Sequence, residues 1–140
     1  MDPWLRPIQL EGESVKLVPL QKSQKVDLVF AASDGKLWEL WYTTVPSPKT
    51  MDSYLDTALA QQAEGNALPF AIINKKTNSI VGSTRYLNVD AKNKRLEIGA
   101  TWYAKKVQRT GINTECKYLL LKYAFENLNC IAVEFRTHFH

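Results

Sequence analysis

The stretch from Thr101 to Glu115 reads Thr-Trp-Tyr-Ala-Lys-Lys-Val-Gln-Arg-Thr-Gly-Ile-Asn-Thr-Glu. It is the part of the chain whose residue types and spacing point most directly to chemistry. An apolar-rich run enters it, a short basic loop follows, and beyond Gly111 a helical pattern opens with Asn113 or Thr114 as the cap. A helix start leaves backbone N–H groups without acceptors and carries partial positive charge. A glycine just before it permits close approach, so that successive N–H groups wrap a phosphate, with Arg109 and Lys106 adding charge. The same pattern also fits an ordinary capped helix.

Other chemistry-bearing residues have plainer readings. Cys116 has no histidine near it in sequence and falls on the apolar side of the helical pattern, which suits packing better than nucleophilic attack. Cys116 and Cys130 are the only cysteines, and both are expected to be buried free thiols in a reduced compartment. His138 and His140 are too few for a metal site and read as a frayed end, so no metal is expected. Glu115 reads as a helix-start carboxylate favoured by the dipole.

The 140 residues carry 18 Lys+Arg and 14 Asp+Glu, with 45% hydrophobic and 11% aromatic residues. That excludes a disordered chain and suits a single domain spanning residues 1–140. Charge is unevenly placed: residues 1–70 have six basic and nine acidic side chains, residues 71–140 twelve and five. A basic half suits a phosphate-bearing ligand, nucleic acid or mere solubility. Tyr86, Trp102 and Tyr103 form no ribonucleoprotein-type aromatic motif, so nucleic acid is not the expected partner. No apolar run is long enough to span a membrane and no secretion signal opens the chain, so no membrane partner and a cytoplasmic location are expected.

The elements that must position the loop follow from periodicity. Residues 1–13 read as a leader and residues 14–20 as a strand. A helix follows from Ser23, with Val26, Val29 and Phe30 at helical spacing, closed at Asp34-Gly35. A second helix opens at Thr50, presents Met51, Tyr54, Leu55, Ala58 and Leu59, and closes at Gly65-Asn66. Residues 68–73, 80–89 and 95–103 then form an antiparallel meander. A helix over 113–127 presents Cys116, Leu119, Leu120, Tyr123 and Ala124. A last strand over 130–137 presents Ile131, Val133 and Phe135 on one face. The final strand–helix–strand step predicts a parallel crossover pairing of 95–103 with 130–137. The fold class is therefore α/β (α+β), a mixed sheet with helices on both faces.

At Gln108-Arg109-Thr110-Gly111-Ile112-Asn113 the sequence resembles the GNAT superfamily of acetyl-CoA-dependent N-acetyltransferases, whose Gln/Arg-x-x-Gly-x-Gly/Ala loop binds the coenzyme A pyrophosphate. Residues 96–103, the Gly82-Ser-Thr-Arg-Tyr86 strand and the Asn113-Thr-Glu-Cys-Lys117 helix start are similar to the ribosomal-protein N-acetyltransferase branch. The resemblance covers roughly residues 10–138. Asn113 departs from it, standing where the family usually has Gly or Ala. The chain also looks like a GNAT-like fold lacking the C-terminal helix and strands.

The resemblance implies a transferase, an acyltransferase that takes acetyl-CoA as cosubstrate and acetylates a primary amine, either a protein N-terminus or a small molecule. It implies coenzyme contacts from Thr101, Trp102, Tyr103, Gln108, Arg109, Thr110, Gly111, Ile112, Asn113 and Thr114. Glu97 would be the catalytic base, acting through water. Trp38, Trp41 and Tyr42 would border the acceptor cleft, with Asp34 and Glu39 nearby to attract an amine. The missing C-terminal elements leave strand 130–137 with an open edge for homodimer pairing. They also leave a non-catalytic acyl-CoA-binding or self-associating module as the alternative.

Overall fold

The computed structural model describes residues 4–39 and 45–135. Six strands form one sheet in chain order: β1 (Leu10–Glu11), β2 (Val15–Pro19), β3 (Leu68–Asn74), β4 (Ser79–Asp90), β5 (Arg95–Tyr103) and β6 (Ala132–Phe135). Every neighbouring pair is antiparallel except β5–β6, which is parallel. Three helices, α1 (Lys25–Ser33), α2 (Met51–Ala63) and α3 (Ile112–Glu126), lie between strands. The meander and the parallel crossover are as the sequence predicts. The short β1 is an addition, since a two-residue strand carries no periodicity.

Successive strand residues point to opposite faces of a sheet, and β4 shows which helix covers which face. Tyr86 sends its hydroxyl to the Leu120 carbonyl of α3. The neighbouring Arg85 guanidinium lies over the Tyr54 ring of α2, 5.3 Å from its centroid. So α3 covers one face and α2 the other, while α1 packs against β4 and α2. Phe70 meets Tyr86 edge to face under α3, with ring centroids 5.9 Å apart. Val15, Leu17, Leu68 and Ile72 from the strands join Leu28, Met51, Leu55 and Leu120 from the helices in one core.

The helix faces differ partly from expectation. Val26 and Phe30 of α1 are 78% and 72% exposed, whereas Leu28, Ala31 and Ala32 are buried. The sequence holds two overlapping stripes of i, i+3, i+4 spacing. The stripe with two alanines wins because small side chains let the helix settle closely on β4 and α2. In the last strand, Val133 is half-buried, but Ile131 precedes the strand and is 68% exposed, and Phe135 is also exposed. Phe135 instead receives the Lys117 ammonium, 5.6 Å from its ring centroid. Met51, Leu55 and Ala58 of α2, and Cys116, Leu120 and Ala124 of α3, are buried as predicted. Gly35, Gly65 and Asn129 adopt the positive φ that ends each helix.

One irregularity governs β5. Ser83 pairs with Trp102 and Arg85 with Gly99, so Thr84 of β4 faces two residues of β5, Ala100 and Thr101. This is a β-bulge, and Ala100 bears it at φ +51°. Gly82 permits the approach just beyond it, because a Cβ there would lie 2.2 Å from the Trp102 carbonyl oxygen.

Burial raises four acidic groups of this core, the Cys130 thiol among them. The Cys116 thiol is pushed up to about 12, and the Tyr86 and Tyr103 phenols are raised as well. Below the ordinary thiol value near 9 the proton is bound in both folded and unfolded chains. Above it only the unfolded thiol ionises, so stability is lost as pH rises from about 9 toward 12. The urea midpoint is therefore expected to hold from pH 7 to 8.5 and to fall by pH 10.5. Cys116→Ala is expected to reduce the slope between pH 9 and 10. A midpoint unchanged at pH 10.5 would contradict this account.

Candidate functional site

β5 leaves the sheet at Tyr103, and Ala104 still donates to the Val81 carbonyl of β4 at 2.7 Å. A single 3-10 turn, Lys105–Val107, then carries the chain to Gln108. Asp34 at the end of α1 fixes this turn, its carboxylate accepting from the Lys106 N–H at 2.7 Å. Arg109 follows at φ +63°, a left-handed conformation that costs a side-chain-bearing residue about 1 kcal/mol. Gly111 is the N-cap of α3, so the helix opens two or three residues before the cap positions, Asn113 or Thr114, that the sequence suggests.

The side chains of this junction are spent on the loop itself. Gln108 Nε2 donates to the Tyr103 carbonyl at 3.0 Å and ties the loop to β5. The Thr110 hydroxyl donates to the Val107 carbonyl and accepts from the Ile112 N–H. Tyr103 donates its phenol to Asn113 Oδ1 at 2.9 Å, linking the end of β5 to the first turn of α3. Ile112 is buried. Arg109 and Thr114 are exposed. Lys106 places its ammonium 5.9 Å from the centroid of the exposed Phe30 ring.

Backbone donors remain. The first acceptor within α3 is taken by Glu115 N–H, which bonds the Gly111 carbonyl at 3.0 Å. The N–H groups of Gly111, Asn113 and Thr114 bond no acceptor among the described residues. Gly111 sits at φ −73°, so its conformation does not demand glycine. Its significance is space: a Cβ there would meet nothing within 4 Å. The turn thus presents free donors to an open surface, which is the geometry and the partial charge that hold an anion.

Glu115 in the first turn of α3 and Glu97 on β5 each accept hydrogen bonds from the protein. Glu115 points away from the loop. Its Oε2 accepts from the Ser14 and Val15 N–H groups, both at 2.8 Å, and clamps the β1–β2 turn onto α3. Glu97 is half-buried on β5, pairs across to Leu87, and accepts from Asn88 Nδ2 at 2.8 Å. Register puts it on the α2 face, because Leu87 and Arg85 share that face of β4.

The α2 face also holds an open cleft of about 460 Å³, lined by Tyr54, Thr57, Arg85 and Ala100 among others. Trp38 is half-buried against the core. Trp41 and Tyr42 lie outside the described residues, as do His138 and His140. Val45 and Pro46, which follow that segment, border the cleft. Among the described residues, β6 pairing ends at Ile98↔Phe135, and residues 99–103 run on past it. No group of three or more potential metal ligands occurs among the described residues. The sequence reading gave Arg85 no role. Its signal is a lone cation in the otherwise uncharged run 79–89.

The comparisons with known proteins agree with this architecture. Residues 14–140 match the model of the acetyltransferase (GNAT) domain. No curated protein sequence matches the chain. Among solved structures, a GCN5-related N-acetyltransferase from Brucella melitensis superposes with a TM-score of 0.78 at 26% identity, over 91% of this chain and 59% of that one. RimJ of Mycobacterium smegmatis, solved with CoA-disulfide, gives a TM-score of 0.77 at 19% identity over 96% and 69%. The microcin C7 self-immunity acetyltransferase MccE, solved with acetyl-CoA and AMP, gives 0.68 at 20% over 84% and 66%. The chain spans about three-fifths of the length of the Brucella protein.

The strained φ at Arg109 yields a direct test. Arg109→Gly is expected to raise stability by about 0.5–1 kcal/mol in urea unfolding, the relief of strain exceeding the added freedom of the unfolded chain. Arg109→Ala keeps a Cβ at positive φ and is expected to give no such gain. Equal midpoints for the two variants would show that the left-handed turn is not held.

Proposed function

The chain belongs to the GNAT acetyltransferase family, and from that premise we propose that it binds acetyl-CoA and transfers the acetyl group to a primary amine. The observation that carries this reading is the start of α3, where the N–H groups of Gly111, Asn113 and Thr114 bond no acceptor among the described residues and the space beside the Gly111 Cα is open. A pyrophosphate suits those donors, and the exposed Arg109, two residues before Gly111, carries positive charge on the same loop, while the Lys106 ammonium lies against Phe30. When bound, acetyl-CoA supplies the acyl group as an activated thioester.

The chain's own residues then divide the work. Gln108, Thr110, Ile112 and Asn113 hold the loop in shape through the contacts described above. Thr101, Trp102 and Tyr103 offer strand backbone beyond the last β6 pairing, and a strand N–H there stabilises the developing charge on the carbonyl oxygen. An attacking amine must be neutral, and Glu97 takes its proton through a water molecule. Trp38, Trp41 and Tyr42 are the aromatic side chains assigned to the acceptor in this reading. The acceptor is a small-molecule amine or a protein N-terminus.

Gly111→Asp tests the anion site. Aspartate is a favoured N-cap, φ −73° is allowed to it, and nothing crowds its Cβ, so the variant is expected to fold. Its carboxylate occupies and repels the anion site, and acetyl-CoA affinity by calorimetry is expected to fall at least about tenfold. Affinity within about twofold of the parent would place the pyrophosphate elsewhere.

Glu97→Gln keeps the shape of the side chain and removes its basicity. Turnover is expected to drop about 100-fold or more, with acetyl-CoA affinity retained. An unchanged rate would exclude Glu97 from proton transfer.

A further inference from the structure

Arg85 lies in the middle of β4 and is 7% exposed, yet no carboxylate pairs with it among the described residues. Its Nη1 donates to Gln61 Oε1 at 3.2 Å, and its plane rests over Tyr54. Its Nε has no hydrogen-bond partner. A guanidinium has five N–H donors, and a buried charge is costly unless it is paired. Stacking on Tyr54 and one amide oxygen leave most of that donor capacity unused.

The side chain borders the α2-face cleft of about 460 Å³. Ser53 and Thr57 of α2 add hydroxyls to the same wall, and the first turn of α2 reaches it at Thr50, where the helix dipole favours negative charge. No Asp or Glu lines the cleft among the described residues. Ala100 of the bulge forms the opposite edge, one residue from Thr101. A group held on Arg85 is thereby set beside the part of β5 at which acetyl transfer is proposed.

We propose that this cleft binds the carboxylate of the acceptor, so that the substrate is a small amine that also bears a carboxylate, of the amino-acid class. This rests on the acetyl-transfer reading above. One buried monocation with a planar donor edge matches one planar monoanion, and a carboxylate accepts two parallel N–H bonds from it. The hydroxyls of Ser53 and Thr57 give the remaining lone pairs partners.

The test uses the full chain and matched ligands. N-acetyl-L-amino acids and their carboxamides differ only in the charge that Arg85 would read. Acid forms are expected to raise the melting temperature at concentrations at least about tenfold lower than the amides. Arg85→Gln is expected to abolish that difference, and Arg85→Lys to retain part of it. In turnover, KM for an amino acid is expected to rise at least about tenfold in Arg85→Gln, with KM for its amide little changed.

Equal protection by acid and amide in the parent chain would overturn the proposal even if Arg85→Gln failed to fold. So would an acid preference that survives in a folded Arg85→Gln. Acetyl-CoA titration into the same samples separates the two readings. Selective acid binding without acetyl-CoA binding would refute acetyl transfer and leave an anion site. Turnover that favours neither acid nor amide would refute the anion site and leave acetyl transfer.

Discussion

The extra residue at Ala100 is the constraint on which both halves of the site depend. Strand side chains alternate strictly, so one inserted residue exchanges the faces of everything after it. Glu97 and Gly99 share the α2 face with Arg85. Without the bulge Trp102 would turn toward α3 and Tyr103 toward α2. With it, Trp102 donates to the Tyr54 hydroxyl on the α2 side at 3.4 Å, and Tyr103 reaches Asn113 at the start of α3. The positive φ at Ala100 costs about 1 kcal/mol. Thr84 and Thr101, whose hydroxyls meet at 2.8 Å, and the missing Cβ of Gly82 hold the distorted backbone in place.

From that bulge the anchoring of α3 follows. The Tyr103–Asn113 bond, the Gln108 amide on the Tyr103 carbonyl and the Glu115 clamp on Ser14 and Val15 fix the first turn of the helix from three directions. A charge-assisted bond of the Glu115 kind contributes about 1.5–3 kcal/mol. The helix start is therefore rigid before any ligand arrives. Donors held in place need no reorganisation on binding, which favours a tight anion site over one that must first be assembled. Asn113 explains itself in the same way. Glycine or alanine there would remove the amide oxygen that accepts from the Tyr103 phenol and links β5 to the first turn of α3.

The order and direction of the strands were legible because the meander residues alternate and the punctuating Gly and Asn residues stand where the chain turns. The loop was legible as a pattern. What its side chains do was not: Gln108, Thr110 and Asn113 turn their side chains onto the protein, a role that the one-dimensional pattern does not display. Side-chain hydrogen bonds between β5 and the loop depend on the bulge, and a single alanine in a strand gives no sign that its φ is positive. The face of α1 was misread for a related reason. Valine and phenylalanine outweigh alanine in any hydropathy pattern, while packing distance against β4 rewards the smaller side chain. β1 is too short to carry a period at all.

Glu115 and Arg85 show how burial and bonding together separate framework from site. Both are charged side chains at contacts between helix and sheet, Glu115 reaching from α3 to the β1–β2 turn and Arg85 from β4 to α2. Glu115 has two backbone donors on one oxygen and ends there, because its bonding joins segments 100 residues apart in the chain. Arg85 is more deeply enclosed and less satisfied, with a stacked ring, one amide and an orphaned Nε. A purely structural cation in that position would be better replaced by an apolar side chain of the same volume, since a buried ion with incomplete partners lowers stability. The folded chain tolerates the deficit next to an open cleft that has no acid on its walls. Binding an anion there would supply the missing partner, so part of the free energy withheld from folding becomes available to the complex.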